Sequence, residues 1–235
     1  MDTGHCLVTG ANRGLGLEFA RQLLARGERV VATCRHPGKA TAQNELAGEH
    51  PGRLHVLPLD VAAPRSIAEL AHELPLLADG ALSLRLLVNC AGVLHSGERF
   101  GALEPAVLED SFRTNAMGPL LVTQALAERL ADGAKVANVS SVLGSIASLA
   151  RFGSPSYDIS KAAQNMATAL LAKALAPRGI VVLALHPGWA QTGMGGDNAT
   201  VPAADSVAGL LRVVDDAGVA DSGSFRDWRG ETLPW

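Results

Sequence analysis

The chain has 235 residues, 18% charged and 48% hydrophobic, enough apolar material to bury a large core as one domain. A net charge of -3 with a pI near 6.2 leaves no basic footprint and argues against nucleic acid as a partner. Arg85 and Asn89 interrupt the most apolar stretch short of the roughly 20 residues a bilayer requires, and "MDTGHCLVTG" lacks the basic-then-apolar pattern of a secretory signal, so neither a membrane nor export is expected.

Apolar runs bounded by turn residues predict strands near 5–9, 28–34, 54–58, 84–90, 134–140 and 179–185. Helical spacing lies between them near 14–26, 64–74, 105–130 and 156–176, with a less regular pattern around 40–48. Runs such as "RVVATC" and "IVVLAL" are apolar on both faces, as in a sheet covered by helices on each side. Strand–helix alternation then predicts an α/β fold, a Rossmann-type doubly wound parallel sheet. No repeat, low-complexity tract or linker divides residues 1–235, so a single domain is expected. Cys6, Cys34 and Cys90, odd in number and set in apolar surroundings, suit reduced thiols in a cytoplasmic protein. The seven histidines lack metal-ligand spacing, and no zinc is expected.

In a doubly wound sheet the ligand lies beyond the carboxyl ends of the strands, here just after residues 9, 34, 59, 89, 140 and 185. After the first strand comes "TGANRGLG", in which Gly10, Gly14 and Gly16 would let backbone N–H groups approach a pyrophosphate at a helix N-terminus. An ordinary glycine-rich turn is the alternative. The second strand ends "ATCRH", with Arg35 and no carboxylate to bind the adenosine ribose hydroxyls. Together with Arg13 it suits a 2′-phosphate, hence NADP(H), unless both are simply solvated surface arginines. In "LPLDV", Asp60 is either an acceptor for the adenine amino group, with Val61 packed on the ring, or a helix cap.

"YDISK" sets Tyr157 four residues before Lys161, on one helix face. With Ser154 as N-cap and Pro155 in the first helical position, Tyr157 falls in the first turn. There the helix dipole and the lysine ammonium both favour phenolate, which predicts a lowered phenol pKa suited to general acid–base chemistry. A half-buried tyrosine opening a helix is the plainer reading.

Taken in order, "TGANRGLG", "LDV", "NCAG", "NAMG", "NVSS", "YDISK" and "HPGWAQT" resemble the landmarks of the short-chain dehydrogenase/reductase family over nearly the whole chain. With "GWAQTGMGG" and "GSFRDWRGETLPW", the resemblance is closest to the sniffer, C-factor and carbonyl reductase branch. It implies about seven strands and reversible oxidoreduction between NADP(H) and a small carbonyl or alcohol substrate. It implies a catalytic set of Asn115, Ser141, Tyr157 and Lys161: Tyr157 exchanges the proton and Lys161 tunes it and holds the nicotinamide ribose. Ser141 bonds the reacting oxygen, and Asn115 holds a proton-relay water. A slightly long stretch before Tyr157 keeps Ser145 as an alternative to Ser141. Implied cofactor contacts are Gly10, Asn12, Arg13, Gly14, Leu15, Gly16, Arg35, Asp60, Val61, Asn89, Ala91, Gly92, Tyr157, Lys161, Pro187, Gly188, Ala190 and Thr192. Cys90 replaces the usual second asparagine of its motif, a change catalysis should survive.

Leu94, Leu143, Ile146, Leu149, Phe152, Trp189 and Met194 are candidate pocket walls, suited to apolar aldehydes, ketones or quinones; packing of the loops on the domain is the alternative. A compact helix is expected after "GWAQTGMGG", leaving the pocket open. The helices near 105–130 and 156–176 would either fill the core or pair between copies, giving a homodimer or homotetramer, although some carbonyl reductases are monomers. An NADP-binding regulatory or signalling protein with little turnover is the rival function. It needs only the cradle, whereas the full Ser–Tyr–Lys–Asn set favours an enzyme.

Overall fold

The structure, a computed structural model, describes residues 4–78 and 82–235. Seven parallel strands run β1 (His5–Thr9), β2 (Val30–Cys34), β3 (Leu54–Pro58), β4 (Leu84–Asn89), β5 (Leu130–Val139), β6 (Val181–His186) and β7 (Phe225–Asp227). Their order in the sheet is β3-β2-β1-β4-β5-β6-β7, so the direction of winding reverses between β1 and β4. The helices are α1 (Gly14–Ala25), α2 (Thr41–Glu49), α3 (Pro64–Glu73), α4 (Pro105–Phe112), α5 (Gly118–Ala125), α6 (Pro155–Leu175) and α7 (Ala203–Asp216).

Two apolar clusters, one on each face, explain why the strand sequences show no polar–apolar alternation. Cys6, Val8, Val30, Ala32, Leu86, Val88, Leu183 and Leu185 pack under α1, α2 and α7, around Phe19, Leu46 and Leu210. The intervening Leu7, Val31, Leu87 and Val182 pack under α3, α5 and α6, around Leu70, Val122 and Leu171. Successive strand residues point to opposite faces, and each face here has a helix layer to bury them.

Several boundaries differ from the sequence pattern. The fifth strand begins at Leu130, before the predicted 134, and pairs irregularly with β4 between Leu84 and Leu86. Asp132 and Gly133, the latter at φ +75, interrupt the apolar run there and hide the early start. The helix predicted over 105–130 divides into α4, a π-helical turn at Arg113–Met117, and α5, followed by a 3-10 turn at Ala127–Arg129. Pro119 supplies the cause, because it carries no N–H and its ring crowds the carbonyl four residues back, that of Asn115. The irregular pattern near 40–48 does form α2, and the compact helix after "GWAQTGMGG" is α7. The seventh strand has three residues, too few to show a period. Its outer edge is covered by an antiparallel bridge between Arg226 and Thr232.

Candidate active site

The carboxyl ends of β1 and β4 meet at the winding reversal, and glycine is required there by contact. A Cβ on Gly10 would lie 2.7 Å from the Ala91 Cα, and one on Gly16 would lie 2.3 Å from the Gly10 carbonyl oxygen. Gly10 and Gly14 also adopt left-handed backbone, at φ 67 and 55. The turn is therefore folded tightly on itself and against the turn after β4. Thr9, which the motifs did not single out, fastens the two: its Oγ1 accepts from Cys90 N at 3.0 Å and Ala91 N at 3.1 Å. From across the cleft, Thr192 Cγ2 stands 3.5 Å from where a Gly14 Cβ would be, so the segment after β6 closes over the glycine turn.

No side chain caps α1, whose N-cap position is Arg13, so its first N–H groups are not taken up by a side chain. Asn12, Arg13 and Arg35 are exposed and Leu15 is half-buried at this rim; among the described residues neither arginine enters an ion pair. Asp60 Oδ1 accepts from Ala62 N at 3.0 Å, forming the turn into α3, while Val61 packs on Gly118 of α5. Gly92 borders Asn115, and Pro187, Gly188 and Ala190 continue from β6 toward Thr192; the Pro187 carbonyl is held by Ser206 Oγ at 2.6 Å.

Asn89 is placed differently from the other expected cofactor contacts. Its side chain lies inside the sheet, donating to Asn138 Oδ1 at 2.8 Å and Thr123 Oγ1 at 3.1 Å, and Asn138 donates onward to Thr168 Oγ1 at 2.9 Å. This buried polar belt ties β4 and β5 to α5 and α6 directly beneath the site.

Tyr157, Lys161 and Ser141 come together where α6 starts. Tyr157 is 8% exposed, and the Lys161 Nζ lies 5.6 Å from its ring centroid. Pro155 occupies the first helical turn as predicted, but Ser154 makes no side-chain cap. Glu98, from the loop after β4, takes that function: its Oε2 accepts from Ser156 N at 3.3 Å and Ser156 Oγ at 2.7 Å. A carboxylate on the positive end of the helix is the stronger partner.

The predicted lowering of the Tyr157 pKa is reversed. Burial pushes the phenol up to about 12, against a smaller downward pull from a hydrogen bond with Ser141. The Lys161 amine is pushed down to about 8 by the same burial, opposed weakly by Cys90. Desolvation disfavours both charged forms and outweighs the helix dipole and the neighbouring ammonium. The Cys90 thiol itself is pushed up to about 12 by burial, so it stays protonated. His186 is held down to about 4 by burial and is a neutral imidazole.

Ser141 and Ser145 separate by their partners. Ser145 Oγ donates to Ser148 Oγ at 3.0 Å and accepts from Ser148 N at 3.1 Å, so it is committed to its own turn. Ser141 Oγ also accepts from a neighbour in its own turn, Leu143 N at 3.2 Å, but it is the serine that bears on the Tyr157 phenol. The Asn115 side chain is fully engaged: it accepts from Val93 N at 2.8 Å and donates to Val93 O at 2.8 Å and Ser160 Oγ at 3.0 Å. Ser160, a residue the motifs left unassigned, donates in turn to the Tyr157 carbonyl at 2.7 Å.

Of the expected pocket walls, Leu143, Ile146, Leu149, Phe152, Trp189 and Met194 are exposed and Leu94 is half-buried. Phe152 meets Phe100 edge-to-face at 5.8 Å, which joins the loop after β4 to the loop before α6. Exposed apolar side chains gathered on loops beyond the strand ends are open to an apolar ligand.

A parallel sheet reversing at β1 and β4, with a glycine turn at that reversal and a buried tyrosine–lysine pair beside it, defines a Rossmann-type, dinucleotide-binding class of oxidoreductase. The family model for short chain dehydrogenase matches residues 4–201, and the chain belongs to the short-chain dehydrogenase/reductase family. It is 45% identical over 152 residues to the C-signal protein of Myxococcus xanthus, covering 64% of this chain and 92% of that one. The crystal structure of NADPH-bound carbonyl reductase from chicken fatty liver superposes with a TM-score of 0.93 at 36% identity, covering 100% of both chains. Carbonyl reductase Sniffer of D. melanogaster also gives 0.93, at 29% identity over 99% of this chain and 100% of that one.

The Thr9 fastening is open to test by substitution. Thr9→Val leaves two backbone N–H groups unpaired and should destabilise the protein by about 1–3 kcal/mol, whereas Thr9→Ser should stay near the unmutated value. Urea unfolding of both variants measures this; equal stability of the valine variant and the unmutated protein would show that the hydroxyl is dispensable.

Proposed function

We propose that the protein is an NADPH-dependent reductase of apolar aldehydes, ketones or quinones, acting in the cytoplasm. The observation that carries the reading is the phenol of Tyr157, buried with Ser141 and Lys161 at the foot of an exposed apolar wall. The tight glycine turn brings the uncapped first turn of α1 to the cleft, where its N–H groups would meet a pyrophosphate, and Arg13 and Arg35 present two guanidiniums for a 2′-phosphate. Asp60 and Val61 flank the adenine side; Ala91, Gly92, Pro187, Gly188, Ala190 and Thr192 flank the nicotinamide side. The NADPH-bound chicken enzyme supports the choice of cofactor. When bound, NADPH supplies the hydride for carbonyl reduction.

The chain's own residues then handle the oxygen. Ser141 donates a hydrogen bond to the carbonyl oxygen, favouring the charge that develops there. Tyr157, which keeps its proton far above neutral pH, gives it up to the alkoxide. Lys161, still mostly protonated at neutral pH, stabilises the phenolate left behind and holds the ribose. Asn115 serves through its main-chain carbonyl, since its amide is engaged with Val93 and Ser160 and Pro119 withholds the N–H that would bond that carbonyl in a regular helix. Exposed Ile159, Met166 and Leu170 give the outer face of α6 the composition of a self-association surface.

The similarity to C-signal supports a second reading, a dinucleotide-binding signalling protein. Two substitutions test these readings, the first the cofactor that both share and the second the turnover that separates them. Arg35→Ala should weaken NADPH about ten- to a hundredfold and leave NADH nearly unchanged, measured by fluorescence titration. Equal affinity of the unmutated protein for both cofactors would remove the 2′-phosphate assignment. Tyr157→Phe should lower kcat about 10²–10⁴-fold on any accepted carbonyl compound while NADPH still binds. An undiminished rate in that variant would end the proton-donor role.

A further inference from the structure

Lys161 is 4% exposed, and its ammonium is held by two acceptors, the Val139 carbonyl at 2.7 Å and Gln164 Oε1 at 2.8 Å. The groups facing it are few. From the loop after β4 comes the Cys90 thiol, from α6 itself Tyr157, and from β5 only backbone; among the described residues no carboxylate bears on its charge. A buried ammonium without a counter-ion rests on neutral dipoles, and Gln164 is the side chain that supplies one.

Gln164 is 1% exposed. The orientation of its amide follows from chemistry, because an ammonium has no lone pair and the amide oxygen must face it. The Nε2 end is consequently turned away and buried, with no partner among the described residues. A methionine of similar size would fill the same space without that donor, but would leave the buried ammonium with the Val139 carbonyl as its remaining acceptor. What distinguishes glutamine from an apolar residue at this position is the bond to Lys161.

We propose that Gln164 is a positioning residue whose side-chain carbonyl keeps the Lys161 ammonium charged and aimed for the cofactor ribose and for Tyr157. The proposal rests on the reductase reading above, and it concerns Lys161 as ligand-holder as well as catalyst.

Gln164→Met and Gln164→Glu test it, with the thermal midpoint of the ligand-free protein, the NADPH dissociation constant and the reduction rate each followed from about pH 6 to about pH 9. The methionine variant should bind NADPH about tenfold more weakly at alkaline pH than the unmutated protein, with a smaller difference at acid pH. Its alkaline loss of activity should begin about one pH unit lower. The glutamate variant, which offers a full counter-charge, should recover binding and move that loss to higher pH. Unchanged NADPH affinity and pH profile in the methionine variant would overturn the proposal, as would a fall in melting midpoint with no change in profile. If the methionine variant does not fold, an unshifted profile in the glutamate variant would overturn it equally. NADPH binding is read without turnover, so a protein that reduces no carbonyl compound still tests Gln164, and that failure counts only against the reductase reading.

Discussion

A lysine buried without a carboxylate partner is the constraint on which the site depends. The same apolar surroundings that pull the Lys161 amine down to about 8 push the neighbouring phenol up to about 12. Both shifts favour the neutral form, so the pair is poised as a protonated phenol beside a weakened ammonium. Such a phenol is a weak acid and releases its proton only to a strong base. In the proposed reduction, an alkoxide formed against it is strong enough to take that proton. The ammonium has to survive at working pH for the phenolate to be tolerated afterwards, and its two neutral acceptors, Val139 O and Gln164 Oε1, serve that end.

The scaffold supports this arrangement from three sides. Thr9 locks the end of β1 to the turn after β4, which fixes the floor of the glycine turn. Beneath the site, Asn89, Asn138 and Thr168 carry a polar belt from the sheet into α6, so the helix bearing Tyr157 and Lys161 is registered against β5 by hydrogen bonds as well as apolar packing. Above it, Glu98 holds the first turn of α6, and Phe100 packs on Phe152, so the loop after β4 shapes both the start of α6 and the wall of the cleft. Mobility in that loop would reach Tyr157 through Ser156.

Much of this was legible in the chain itself. The apolar strands are legible because two helix layers bury alternate residues such as Leu7 and Val8 on opposite faces. The glycine turn and the Tyr157–Lys161 spacing are local patterns whose geometry follows from residue type. Other features depend on contacts between distant segments. Nothing near Ser154 announces that Glu98 will cap α6, and nothing near Lys161 announces that its charge will be left without a counter-ion. The expected lowering of the phenol pKa failed for that reason: the helix dipole is visible in sequence, whereas the depth of burial that overrides it is not. Gln164 was hidden similarly, a polar residue at helical spacing whose partner is revealed only by the fold. β7 was missed because three residues carry no period, and the π-helical turn because Pro119 announces a break without its form.

The pH dependence of carbonyl reduction by the unmutated protein in a single turnover, with NADPH saturating at every pH, tests the central claim most directly. The rate should be level at neutral pH and fall as pH rises through about 8, where the Lys161 ammonium loses its proton. A rate that stays level until the phenol itself titrates, near 12, would contradict it, because Tyr157 would then be working without the charge of Lys161.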